Sequence, residues 1–105
     1  MKIIVVGATG TLGKKVAEAF GQQHEIIRVG NTRGDIQVDI TDESSIKAMF
    51  EQAGPFDALI STSGKAPFVP VSEMTGEAFK SGLLNKLLGQ VNLVLIGQHY
   101  INKNG

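Results

Sequence analysis

Residues 2–13 read Lys2-Ile3-Ile4-Val5-Val6-Gly7-Ala8-Thr9-Gly10-Thr11-Leu12-Gly13, and this stretch decides the fold. A β-branched run with no polar residue after Lys2 is how a strand buried on both faces of a parallel sheet reads. Directly after it come three glycines at G-x-x-G-x-x-G spacing, and then Leu12, Val16, Ala17 and Phe20 recur as one face of a helix that Gly21 ends. A glycine-rich turn between strand and helix lets the backbone approach a pyrophosphate, while the unpaired N–H groups of the helix start hold its charge. Gly7 makes the turn, Gly10 admits the phosphates and Gly13 lets the helix lie close to the strand. The other phosphate loop, G-x-x-x-x-G-K-[ST], fails on the same residues: the position five before Gly13 is Ala8, and Lys14 is followed by Lys15. A nucleoside triphosphatase is a poor reading on that ground.

Outward from this stretch, extended runs are expected at Glu25–Gly30, Asp35–Ile40 and Phe56–Ile60. Thr41 or Asp42 can cap a helix whose apolar positions are Ile46, Met49, Phe50 and Ala53, stopped by Gly54-Pro55. Ser61 to Pro70 reads as a loop. Thr75 caps a long helix from about Gly76 to Asn102, roughly 40 Å at 1.5 Å per residue. Alternating strands and helices imply a parallel sheet with right-handed crossovers. From Leu83 to Ile96 the last helix is apolar nearly all the way round, so cover on more than one side is expected. Gly82, Gly89 and Gly97 fall within one arc of about 80° at 100° per residue. Close packing on the domain's own sheet or on a second subunit would explain them, and a homo-oligomer through Leu83–Ile96 is expected.

The chain has 105 residues, enough for one compact domain. Ten Lys+Arg balance ten Asp+Glu, so no positive excess is available for a run of phosphates and nucleic acid is not expected as a partner. Cysteine is absent, which removes disulfides, thiolate metal sites and a Cys nucleophile together and fits a reducing, cytoplasmic location. Ile3–Val6 is too short for a signal-peptide core or a membrane span of roughly 20 residues. His24 and His99 show no metal spacing, and no metal site is expected.

Lys2 to Gly13 resembles the cofactor-binding start of the short-chain dehydrogenase/reductase family, and the likeness runs on through Asp39-Ile40-Thr41, Phe56-Asp57-Ala58-Leu59-Ile60 and the long last helix. The glycine spacing is that of the atypical and extended branches; the commonest branch has three residues between its first two glycines and one between the last two. The resemblance implies a Rossmann-type doubly wound parallel sheet of strand order 3-2-1-4, incomplete at its C-terminal side, and an NAD(P)-dependent oxidoreductase acting on a small carbonyl or alcohol. Residues 1–105 would be the N-terminal part of a longer dinucleotide-binding domain. Cofactor contacts are expected from Gly7, Thr9, Gly10, Thr11, Leu12 and Gly13, from Asn31, Thr32 and Arg33 after strand two, and from Asp39 and Ile40 after strand three. Ser61, Thr62, Ser63 and Gly64 stand where the family usually has N-N-A-G, hydroxyls replacing amides. Lys86 falls where the family has its helix asparagine, three residues before Gly89, with Asn85 one register away.

An acid at the end of strand two would accept hydrogen bonds from the adenosine ribose and repel a 2′-phosphate. Here that place reads Gly30-Asn31-Thr32-Arg33, and Arg33 can form charge-assisted bonds to the phosphate, so NADP(H) is expected over NAD(H). The family's Tyr and Lys stand four apart after a serine. Tyr100 and Lys103 are three apart and close the long helix, so no residue here is assigned a catalytic role; the serine and the Tyr–Lys pair are expected further along a longer chain. A non-catalytic, redox-sensing dinucleotide module is the alternative, favoured by the missing amides and by Lys86.

Overall fold

The computed structural model describes residues 1–63 and 69–105, the side chain of Asn85 excepted. Strand β1 (Lys2–Val6) leads through the glycine turn into α1 (Thr11–Phe20), followed by β2 (Glu25–Gly30), β3 (Ile36–Gln37), α2 (Glu43–Ala53) and β4 (Ala58–Ser61). A short 3-10 turn (Val71–Glu73) precedes α3 (Gly76–Gly82), which runs through a π-helical turn (Leu83–Leu88) into α4 (Gly89–Gly97). The sheet is all parallel in the order β3-β2-β1-β4, with Ile3 opposite both Ile26 and Ala58. Strand order 3-2-1-4 and the α/β class are as expected.

Because strand side chains alternate, β1 feeds two cores. Ile4 and Val6 meet α2 and α4 through Ile46, Met49, Phe50 and Leu93. Ile3, Val5 and Ala8 form the other core with Val16 of α1 and with Ile26, Ala58 and Ile60. Helices therefore cover both faces. Asp42 caps α2 by accepting from the Ser44 N–H at 2.9 Å, and Gly54 ends it at φ 75°, a backbone angle that suits glycine.

Four expectations shift. In α1, Leu12 is 64% exposed and Phe20 42%, while Gly13 and Ala17, four apart, are the buried stripe: the helix sits so close to the sheet that only small residues fit beneath it. The third strand is two residues rather than six, because Val38 N–H bonds the carbonyl of Gly30, where β2 ends and the ladder loses its partner. The fourth strand begins two residues later than read, at Ala58. The long helix ends at Gly97, not Asn102, and the chain turns so that Ile101 bridges Phe56 in parallel and Asn102 N–H reaches the Phe56 carbonyl at 2.7 Å.

Within the chain, the last helix is covered on one side. Gly89 and Gly97 let it settle onto the domain's own core: a Cβ would stand 2.7 Å from Ile40 Cδ1 at Gly89 and 2.8 Å from Phe50 Cζ at Gly97. Leu93 is buried between them, whereas Leu87, Val94 and Leu95 are all more than half exposed. A single sheet face offers cover to one side of a helix only.

At the opposite end of the strands from the glycine turn, Asp57 ties three segments together. Its carboxylate accepts from Lys2 N–H at 2.8 Å and from Asn102 Nδ2 at 2.9 Å. These bonds, the Lys2 N–H first, hold its carboxyl below the ordinary carboxylate value. A depressed folded-state value contributes stability above the unfolded value of about 4 and loses it as pH falls through the folded one. Asp57→Asn should therefore lower the thermal midpoint at pH 7, and the gap to the parent protein should close as the pH is taken well below 4; a pH series of thermal melts checks it.

Candidate functional site

At the carboxyl ends of β1, β2 and β4 the glycine turn folds over the sheet. Gly7 N–H and Ala8 N–H both bond the Val29 carbonyl, at 2.7 and 3.1 Å, which bends the chain off β1 across the end of β2. Gly7 has φ 87°, left-handed backbone that glycine adopts without strain. A Cβ there would lie 2.8 Å from Thr62 Oγ1 and 2.9 Å from Ser63 N. At Gly13 a Cβ would overlap the Gly7 carbonyl. Both glycines are thus demanded by the fold itself.

Gly10 is different. Its backbone is extended at φ −80° and ψ 174°, open to any residue, and among the described residues a Cβ would meet only the Gly7 carbonyl at 3.4 Å, an ordinary contact. Neither strain nor packing accounts for a glycine there. Gly10 is also the N-cap of α1 and has no side chain to cap it. The first intrahelical bond is Lys14 N–H to the Gly10 carbonyl, so the Thr11, Leu12 and Gly13 N–H groups belong to the unpaired first turn, where the helix dipole favours negative charge.

An open cleft of about 280 Å³ lies against this turn. It brings together eight of the expected residues, Gly7, Thr9, Gly10, Asn31, Asp39, Ile40, Thr62 and Ser63. Val6, Gly30 and Val38 line it too and were missed. Gly30 carried a readable signal as a glycine ending a strand, and its Cβ would lie 2.5 Å from the Arg33 carbonyl and 3.0 Å from Thr9 Oγ1. Thr11, Leu12, Gly13, Thr32, Arg33 and Ser61 stand outside the lining. Arg33 is an exposed side chain on the loop that packs back over Gly30. Lys86 borders a separate shallow groove with Leu87, Gln90 and Val94 on the long helix, and Gly64 lies outside the described residues.

Asp39 does two things. Its Oδ1 accepts from the Thr41 hydroxyl at 2.6 Å and the Thr41 N–H at 3.0 Å, bonds that hold its carboxyl below the usual range, the hydroxyl foremost. It also lines the cleft. Asp35, the nearest acid after β2, is turned away, accepting from Arg28 N–H at 3.0 Å. Beyond β4, the Ser61 and Ser63 hydroxyls bond each other at 3.1 Å. Among the described residues no group of three or more His, Cys, Asp or Glu could hold a metal ion, and no helix is long and apolar enough to cross a membrane.

The NAD dependent epimerase/dehydratase family matches residues 3–96, a span that runs from β1 to the end of the long helix. The chain belongs to this family. Among solved structures, the protein lin1944 from Listeria innocua is 46% identical over the whole of this chain, with a TM-score of 0.97 and 52% of its own length covered. A small-chain dehydrogenase is 27% identical at TM-score 0.86, with 56% of its chain covered. The same description recurs for a structure in complex with NADPH, 27% identical at TM-score 0.87, with 48% of its chain covered. No curated protein sequence matches. The chain thus spans about half the length of these relatives, and the resemblance to the N-terminal half of short-chain dehydrogenases, with its NAD(P)-binding Rossmann fold, holds over all of it.

Gly10 and Gly13 should respond differently to substitution. Gly13→Val, which must push α1 off the Gly7 carbonyl, should cost roughly 1–3 kcal/mol or more. Gly10→Ala should unfold within about 0.5 kcal/mol of the parent. Urea unfolding followed by circular dichroism measures both.

Proposed function

We propose that residues 1–105 are the cofactor-binding half of a short-chain dehydrogenase-type oxidoreductase that takes NADP(H) in preference to NAD(H) and, in the complete protein, acts on a small carbonyl or alcohol. The observation that carries the reading is Gly10, a glycine that neither backbone angle nor packing requires, at the uncapped start of α1 in an open cleft. Space kept clear in front of unpaired amides suits a pyrophosphate. When bound, the dinucleotide supplies the hydride chemistry. The chain's own part is to bind and orient: the Thr11–Gly13 amides toward the pyrophosphate, Asp39 and Ile40 toward the adenine, and Ser63 along the cofactor's flank.

Preference for the 2′-phosphate rests on Asn31, Thr32 and Arg33 with no carboxylate at the end of β2. Asn31 lines the cleft, and the exposed Arg33 is free to swing toward a phosphate, as long side chains do when a charge-assisted fork is available. The relative bound to NADPH is in keeping with this.

A redox-sensing, non-catalytic module drew its support from Lys86 at the family's asparagine place. The π-helical turn at Leu83–Leu88 weakens that support. An i→i+5 turn holds one residue more than an α-helical one, so a count of three residues back from Gly89 along a regular helix no longer singles out Lys86. The enzyme reading is favoured. Its acid–base pair belongs to the part of the complete protein beyond these residues, and the exposed Leu87, Val94 and Leu95 support a subunit contact along the same helix.

Titration calorimetry should show NADPH bound about ten- to a hundredfold more tightly than NADH, the worth of one charge-assisted hydrogen bond. Gly10→Val should abolish binding of both while leaving the helix content unchanged; equal affinities would remove the 2′-phosphate reading, and retained binding would remove the site. Light scattering across a concentration series should show self-association that Val94→Glu with Leu95→Lys suppresses.

A further inference from the structure

Thr62, immediately after β4, reaches the glycine turn from across the sheet. Its N–H continues the β1–β4 ladder to the Val6 carbonyl at 2.9 Å. Its hydroxyl then donates to the same Val6 carbonyl at 3.4 Å and to the Gly7 carbonyl at 3.3 Å. Oγ1 would also stand 2.8 Å from a Cβ at Gly7 and 2.6 Å from one at Gly13, so the glycines of both positions leave the room this oxygen occupies.

The Gly7 carbonyl is therefore held from three directions. Gly10 N–H donates to it at 3.1 Å, Thr62 donates from β4, and the Cα of Gly13 packs against it. A carbonyl oxygen accepts two hydrogen bonds, and here both come from groups that set the shape of the turn. Since the hydroxyl carries one proton, shared between the Val6 and Gly7 carbonyls, Thr62 has no donor left for a ligand, although it borders the cleft.

We infer that Thr62 is a positioning residue: its hydroxyl fixes the Gly7 peptide, and through it the direction of the unpaired amides at the start of α1, so that the pyrophosphate site exists before the cofactor arrives. This rests on the dinucleotide-binding reading above, and it assigns to the hydroxyl that replaces an amide in the loop a structural target in place of a cofactor contact. A β-branched residue suits the task because its χ1 is restricted.

The test compares Thr62→Val, which keeps the shape and removes the hydroxyl, with Thr62→Ser, which restores it. In the intact protein Thr62→Val should weaken NADPH binding roughly threefold to tenfold, the scale of one neutral hydrogen bond, and Thr62→Ser should return it to within about twofold. Without ligand, amide hydrogen exchange at Gly10 and Lys14 should quicken in Thr62→Val and recover in Thr62→Ser. Unchanged affinity in the valine variant, or equal losses in both variants, would overturn the assignment. Should the parent protein bind no NADPH, the functional reading falls, and the exchange rates still decide the role of Thr62: unaltered rates in the valine variant refute it.

Discussion

Everything at the working end of the sheet depends on how near α1 comes to β1. Side chains at Gly7 and Gly13 would collide with backbone and with Thr62, so the absence of two Cβ atoms sets the depth at which the helix lies. That depth explains why Gly13 and Ala17 are the buried stripe of α1 while the larger Leu12 and Phe20 are pushed outward. It also brings Gly10, the N-cap of α1, to the cleft at the carboxyl ends of the strands.

The two ends of the strands carry different burdens. At one end, Asp57 gathers the Lys2 N–H and the Asn102 amide, a charge-assisted clasp that joins the start of β1, the approach to β4 and the segment after the long helix. At the other end, polar groups are held by local bonds, Asp39 by Thr41 and Ser61 by Ser63, which keeps them oriented around an open cleft. No side-chain polar atom is buried without a partner among the described residues.

Much of this could be read along the chain because it follows from local rules. An unbroken β-branched run, a glycine-spaced turn and a capped amphipathic helix each carry their own period or capping residue, while the strand order came from the family likeness. Asp42 as cap of α2 and Gly54 as its stop needed no tertiary knowledge. The cleft residues Gly7 and Gly10 were likewise visible in the spacing of the glycine turn, whereas Asp39 came from the family likeness.

Distances across the sheet were not visible. Whether a helical glycine faces its own core or a second subunit cannot be told from spacing; the Ile40 and Phe50 contacts decided it at Gly89 and Gly97. The register slip at Leu83–Leu88 is hidden for the same reason, since any count along a helix assumes 3.6 residues per turn and a π turn breaks that assumption. Strand β3 is short because its neighbour ends, and Thr62 matters because it lies beside Gly7, 55 positions away in the chain. Local periodicity determines which elements form and which faces are apolar; only their packing settles how closely they approach, as the missing Cβ atoms at Gly7 and Gly13 show.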